Sequence, residues 1–104
     1  MEVAYLFRAL GDPIRLEMVR RLASGAPHTI STVSSNLHIS RQGARKHLQI
    51  LADAKIIALK PKGRDTEVLL LRDTLDQGKS FISRLEHMWD TRLEALRTFV
   101  EEKR

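Results

Sequence analysis

The sequence predicts a mainly α-helical (α+β) domain in which about five helices accompany a two-stranded β-hairpin. Apolar residues recur at spacings of three and four along most of the chain, as they do on the buried face of helices. Two runs rich in β-forming residues, 56–60 and 66–71, flank a turn segment centred on Gly63. The chain has 104 residues and no cysteine, so its core has no disulfide or thiolate metal site to support it. We therefore expect one domain that spans residues 1–104.

A glycine and an Asp-Pro pair define the first two helices. Residues 3–10 are too apolar for a solvated helix, and Gly11 ends that segment. Asp12 is suited to cap a second helix that begins at proline and runs to about residue 24, with Arg20 and Arg21 facing outward. Some other surface must therefore cover the apolar side of this first helix.

A short helix, a tight turn and a longer helix are predicted next. Ser31 is expected to cap a third helix over 32–37, and residues 38–39 form the turn. Ser40 is placed to cap a fourth helix over about 41–53. The residues expected on its buried side are Ala44, Leu48 and Leu51, and those on its outer side are Gln42, Arg45, Lys46 and Gln49.

The last third of the chain combines the hairpin with a long helix. The hairpin has a basic tip, since the joining segment 61–65 contains Lys62 and Arg64. From Asp73, the expected N-cap, a helical pattern continues to the C-terminus, and Gly78 is expected to bend it. The apolar stripe of this helix is longer than a body of about 70 residues needs for its own core. Part of the stripe is therefore expected to meet a second copy.

The charge of the chain is concentrated in its middle. The net charge is +5, and residues 41–72 contain eight Lys or Arg against three Asp or Glu, whereas both ends are nearly neutral. A localised basic segment indicates a surface that binds a polyanion.

Other classes of protein are disfavoured by composition. No apolar run approaches the roughly 20 residues of a membrane span, and the N-terminus does not resemble a secretory signal, so we expect a cytoplasmic protein with no membrane partner. The four histidines are scattered at 28, 38, 47 and 87, and no catalytic constellation is evident. We expect neither an enzyme nor a cofactor, and the sequence does not reveal whether a small molecule acts as an effector.

The order helix, helix, helix-turn-helix, hairpin, helix is that of a winged helix-turn-helix domain. The residues resemble the ArsR-type winged helix repressors, in particular cysteine-free members with a long C-terminal helix. The similar segments are 7–15 (FRALGDPIR), 39–42 (ISRQ) with 46–51 (KHLQIL), 54–57 (AKII) and 88–93 (MWDTRL). Lys55 departs from the pattern, since the family usually has glycine there.

The resemblance implies a sequence-specific regulator of transcription, expected to repress, that binds palindromic double-stranded DNA as a homodimer. The fourth helix would enter the major groove, where Arg or Lys reads guanine and Gln reads adenine. The residues expected to contact DNA are Ser40, Arg41, Gln42, Arg45, Lys46, His47, Lys62 and Arg64. The first and last helices, about 3–10 and 74–102, would form the dimer. Its expected interface residues are Leu6, Phe7, Leu85, Trp89, Leu93 and Leu96.

Two alternatives stay open at this stage. The first is a metal-responsive repressor with a site on the last helix, where Asp76, His87 and Asp90 supply an incomplete ligand set. Zinc titration with a DNA-release readout tests it. The second is a module that binds another protein through its apolar first and last helices, which failure to bind any duplex at low salt would favour.

Overall fold

The protein, described by a computed structural model over residues 2–103, is built from five helices and one small antiparallel sheet. The elements are α1 Glu2–Leu10, α2 Pro13–Ala23, β1 His28–Thr29, α3 Ile30–Val33, α4 Arg41–Asp53, β2 Ile57–Lys62, β3 Asp65–Leu70 and α5 Arg72–Glu102. This confirms the winged helix-turn-helix class. The strand order is β1-β3-β2, so the short strand β1 adds a third strand to the predicted hairpin.

A single cluster of apolar side chains holds these elements together. Its completely or nearly completely buried members come from α1, α2, α3, α4 and the start of the sheet: Leu6, Met18, Val33, Leu48, Leu51, Ile56 and Ile57. Each element supplies one or two of them because each has apolar residues on only one side. The opposite sides of the helices therefore remain available for partners.

The start of α2 follows the predicted chemistry. Asp12 Oδ1 accepts hydrogen bonds from the backbone N–H of Ile14 at 2.8 Å and of Arg15 at 3.1 Å. These two bonds satisfy N–H groups that have no partner within the helix, and Pro13 takes the first position, where its missing N–H costs nothing. The bond from the N–H of Arg15 is the main reason that the pKa of Asp12 lies below its usual value.

The predicted start of the third helix is wrong by two residues. Thr29, rather than Ser31, caps α3, and the side chains of Thr29 and Thr32 form a reciprocal capping box. Thr29 is held there because β1 pairs it with Glu67 of β3. The helix also cannot continue to residue 37, since Asn36 has a left-handed backbone with φ 60°.

The two long strands form a tighter hairpin than the sequence predicts. Lys62 pairs with Asp65, so the connection has only two residues, Gly63 and Arg64. Gly63 has φ +64°, a conformation that glycine adopts without steric cost. Pro61 lies within β2, which is tolerated because β2 is an edge strand.

The long helix α5 begins and packs differently from the prediction. It starts at Arg72, and Leu71 occupies the N-cap without any side-chain hydrogen bond, so Asp73 lies in the first turn and is not the cap. The backbone N–H of Leu71 donates to the carbonyl of Ile56 at 2.8 Å, which sets where the helix leaves the sheet. Over residues 2–103, no helix is both long enough and apolar enough to cross a membrane.

Gly78 lies within one continuous helix and has a packing role where a bend was expected. It is buried, and a Cβ at this position would lie 2.5 Å from Cδ2 of Leu6. The absence of a side chain therefore lets α1 lie directly against α5. The rings of Phe7 and Phe81 meet beside it, with centroids 5.8 Å apart.

Candidate nucleic-acid interface

Helix α4 separates its apolar and polar residues between two sides. Ala44, Leu48 and Leu51 are buried in the core. The polar residues of the first two turns are all exposed: Arg41, Gln42, Arg45 and Lys46. Ser40 begins the helix as predicted, since its Oγ accepts the backbone N–H of Gly43 at 2.9 Å. The structure thus presents three cations and one amide to solvent at the N-terminal end of a capped helix.

The backbone at the end of α4 shows why glycine suits position 55 and why Lys55 is a strained residue there. Lys55 follows the helix and has φ 61°, a left-handed conformation that glycine adopts readily. A residue with a Cβ costs about 1 kcal/mol there. Two backbone bonds hold the turn, from Lys55 N–H to the carbonyl of Ala52 and from Ile56 N–H to that of Leu51. These bonds connect α4 directly to the sheet.

His47 faces inward, toward α2, with its side chain partly buried. Its Nδ1 lies 3.0 Å from Nη1 of Arg15. The Nε of the same Arg15 donates to the backbone carbonyl of Ala9, at 2.6 Å, near the end of α1. Arg15 thus connects α1 to α4 by hydrogen bonds within the subunit. His47 lies where it supports the helix, behind the exposed side chains that were predicted with it.

Arg21 has a structural role that the sequence analysis missed. It was expected to face outward, but its Nη1 donates to the carbonyls of Val33 at 3.1 Å and Ser35 at 2.6 Å. These bonds tie α2 to the turn that precedes α4. The available signal was Glu17, four residues earlier, whose carboxylate accepts from Arg21 Nε at 3.0 Å and also pairs with Arg20. The two guanidinium groups lower the pKa of Glu17 to about 2.

The tip of the hairpin carries its predicted cations in exposed positions. Lys62 is at the end of β2, and its Nζ lies 3.9 Å from Oε2 of Glu67 across the strands. Arg64 occupies the second position of the two-residue turn. The wing therefore extends one cation at its extreme tip and one that is partly compensated by a neighbouring carboxylate.

The residues predicted for the dimer interface divide into two groups. Leu6 is only 1% exposed and packs inside the subunit against Gly78, so that part of the prediction is wrong. Phe7 is 36% exposed and Trp89 is 60% exposed. The remaining predicted residues, Leu85, Leu93 and Leu96, are also exposed large apolar side chains, and Ile82, Met88, Phe99 and Val100 accompany them.

The proposed metal ligands do not come together within one subunit. His87 and Asp90 lie on one side of α5 and line an open cleft with Glu94. Asp76 is about 16 Å away along the helix axis, from the rise per residue. Among residues 2–103 of one subunit, no group of three or more His, Cys, Asp or Glu is arranged to hold a metal ion.

Known proteins resemble this chain over most of its length. Residues 10–60 match a family model described as a helix-turn-helix domain. An ArsR-like transcriptional regulator from Rhodococcus sp. RHA1 is 30% identical and has a TM-score of 0.80, with 94% of this chain and 92% of that one covered. A second ArsR family regulator is 22% identical with a TM-score of 0.80, and the match covers 86% of this chain and 91% of its own.

A third solved structure carries information on assembly for its own protein. It is a homodimeric winged helix-turn-helix DNA-binding domain from Mycobacterium bovis, a possible ArsR-family regulator. It is 16% identical, with a TM-score of 0.65, and covers 82% of this chain and 79% of its own. The comparison with curated proteins finds no match.

Proposed function

The chain belongs to the ArsR family of DNA-binding transcriptional regulators, and on that basis we propose that it is a repressor that binds a palindromic operator as a homodimer. The observation that carries the proposal is the outward-facing N-terminal half of α4, where four polar side chains surround an exposed, capped helix start. Repression requires only that the bound dimer occupy DNA that the transcription machinery needs.

The dimensions and residue types of α4 support base readout. A helix about 10–12 Å across fits the major groove of B-DNA. Arg41 and Arg45 carry the planar guanidinium that pairs with the O6 and N7 of guanine, and the amide of Gln42 matches the N6 and N7 of adenine. Lys46 lies one turn further along and suits a phosphate. The cations Lys62 and Arg64 on the wing would contact the backbone beside the groove.

The apolar face of α5 supports a symmetric dimer. A row of large apolar residues from Ile82 to Val100 is exposed on a helix whose C-terminal part extends beyond the core. Monomeric proteins rarely expose a continuous apolar surface of that extent, and a second copy of the same helix would cover it. Two-fold symmetry would then set the two α4 helices about 34 Å apart, one turn of DNA.

Selection of bound duplexes from a random pool tests DNA readout. The wild type should enrich a motif with two related half-sites, and the triple variant Arg41→Ala, Gln42→Ala, Arg45→Ala should lose it while it still unfolds cooperatively. The matched control is Arg20→Ala with Arg97→Ala. It also removes two positive charges, but from α2 and α5 instead of α4, and it should retain the motif. An unchanged motif in the triple variant, or none in the wild type at low salt, would refute the proposal.

Sedimentation equilibrium tests the dimer. Leu93 is 46% exposed, and each dimer would bury two copies. Leu93→Asp should produce monomers, because burial of the exposed half of each leucine contributes about 1 kcal/mol and a buried unpaired carboxylate adds a further, larger cost. Thr98→Asp introduces the same charge at a polar, exposed position of α5 and should leave the dimer intact. A monomeric wild type would contradict this part of the proposal.

A further inference from the structure

A cleft lies between α1, α2 and the C-terminal part of α4. Its volume is about 520 Å³, and it is lined by Tyr5 and Arg8 of α1, Arg15 of α2, and Ile50 and Asp53 of α4. Clefts that hold small organic ligands have volumes of roughly 300–1,000 Å³. The cleft combines apolar walls with a few polar groups, which is also typical of such sites.

The cleft has a cationic end and an acidic end. His47, Ile50 and Asp53 follow one another at intervals of three residues, so Ile50 is a neighbour of each of the other two on the surface of α4. Arg15 is bonded to His47, and Asp53 is about 9 Å further along the helix axis. Between them lies Ile50, which is 41% exposed although it is apolar. The cleft therefore offers a cation from α2, followed by an apolar surface and a carboxylate from α4.

The cationic end has hydrogen-bond donors available for an anion. A guanidinium has five N–H donors, and the bonds from Arg15 to Ala9 and His47 use two of them. Arg8 of α1 supplies a second, exposed guanidinium to the lining of the same cleft. At the far end, one oxygen of Asp53 accepts from Nε2 of Gln49 at 2.8 Å, which leaves the other carboxylate oxygen for a ligand donor.

We propose that this cleft binds a small organic carboxylate that has an aromatic or branched apolar body and a hydrogen-bond donor at its other end. The ligand carboxylate pairs with Arg15 and Arg8, because guanidinium groups bind carboxylates through strong, charge-assisted hydrogen bonds. The apolar body covers Ile50, and the donor reaches Asp53. The three parts of the ligand thus match the three parts of the cleft.

Ligand binding here has a direct route to the DNA-reading helix. Arg15 is the hydrogen-bonded connection between the end of α1 and His47 of α4. A carboxylate that binds the remaining N–H groups of Arg15 pulls the guanidinium toward the cleft, which weakens the bond to His47 that joins α4 to the end of α1. The ligand therefore weakens DNA binding, and DNA weakens ligand binding by the same factor. This consequence, unlike the site itself, rests on the proposed function.

Nuclear magnetic resonance on the full chain without DNA tests the site. The probes are 4-hydroxybenzoate, 4-hydroxyphenylacetate and phenylacetate, and 4-hydroxybenzyl alcohol is the neutral match. At least one carboxylate should shift the amide signals around Tyr5, Arg15 and Ile50 in a saturable manner, whereas the alcohol should not. The proposal is overturned if none of the three carboxylates gives saturable shifts up to about 10 mM, or if the shifts are confined to other surfaces. A concentration of about 10 mM is sufficient because a binding free energy near 4 kcal/mol corresponds to a Kd of roughly 1 mM.

Variants separate a ligand contact from a loss of structure. Arg15→Gln and the exposed Arg8→Gln should each weaken carboxylate binding at least tenfold, and Arg97→Gln on α5 should not. Arg8 is exposed, and within residues 3–103 its side chain makes no hydrogen bond or ion pair that the variant would remove. Its variant therefore keeps the test valid if Arg15→Gln does not fold. Equal binding by Arg8→Gln and the wild type would overturn the two-guanidinium site.

A second measurement separates this inference from the proposed function. With a duplex taken from the selection, a saturating carboxylate should weaken DNA binding about fivefold or more, within the usual range of coupling between sites. An unchanged DNA affinity would overturn the coupling through Arg15. If the carboxylate binds but no duplex does, the proposed function fails and the ligand site stands.

Discussion

Replacement of Arg64 by Gln isolates the contribution of the wing to DNA affinity. Arg64 lies at the tip of the two-residue turn and is exposed, and Gly63 supplies the positive φ that the turn requires. The substitution therefore removes a charge without disturbing the turn or the core, and the free energy of unfolding should change by less than about 0.5 kcal/mol. Lys62 is the less informative choice because Glu67 already compensates part of its charge.

The size of the effect follows from the number of wings. In the proposed dimer, two copies of Arg64 would reach one duplex, and each phosphate contact contributes about −0.9 to the slope of log K against log[salt]. The slope should therefore become shallower by about 1.8. Between about 50 mM and about 200 mM salt, the wild type should lose roughly 12-fold more affinity than the variant, since four raised to the power 1.8 is about 12.

Fluorescence anisotropy with a labelled duplex at several salt concentrations measures this slope. Arg97→Gln is the matched control: its guanidinium is exposed on α5 between Glu94 and Glu101, far from α4, and the slope should stay at the wild-type value. A slope for Arg64→Gln equal to that of the wild type would refute the phosphate contact. A loss of affinity restricted to one operator sequence would instead indicate that the wing reads bases.

Three further substitutions test the local structure. Ser40→Ala removes the acceptor for the N–H of Gly43 and should lower the free energy of unfolding by about 1 kcal/mol in urea titrations; no change would mean that water replaces the cap. Gly78→Val places atoms inside the contact with Leu6 and should cost about 1–3 kcal/mol, and an unchanged stability would show that α1 does not lie against α5 as described. Since the pKa of Glu17 is lowered from 4.5 to about 2, its ion pairs stabilise the fold above pH 4.5, and this contribution is lost as the pH falls through 2. The unfolding temperature of the wild type should therefore exceed that of Glu17→Gln at pH 7, and this difference should disappear near pH 2. A difference that stays constant with pH would contradict the lowered pKa.

Features that depend on a few neighbouring residues were predictable. Asp12 and Ser40 cap their helices as expected because capping joins a side chain to a backbone N–H only two or three residues away. The exposed side of α4 was predictable for the same reason, since a period of 3.6 residues assigns each residue to a side of the helix. The fold class followed from the order of such elements.

Features that depend on distant partners were missed. Ser31 and Thr29 are both chemically suitable caps, and the choice was made by the pairing of β1 with β3, whose residues lie more than 35 positions away. Leu6 looked like an interface residue, but Gly78 opens a space for it within the subunit. Arg21 looked like a surface cation until the turn after α3 brought two carbonyl groups to it.

The sequence by itself determined where α2 and α4 begin, which sides of the helices are apolar, and that the positive charge gathers around α4 and the wing, because these properties are carried by spacing and composition along the chain. Only the tertiary structure decided that Arg15 links α1 to His47, and that a cleft with opposite charges at its two ends opens between α1, α2 and α4. The reason is geometric: the contacts of a side chain with partners far along the chain depend on how the helices cross, and that crossing is set by the packing of the whole core.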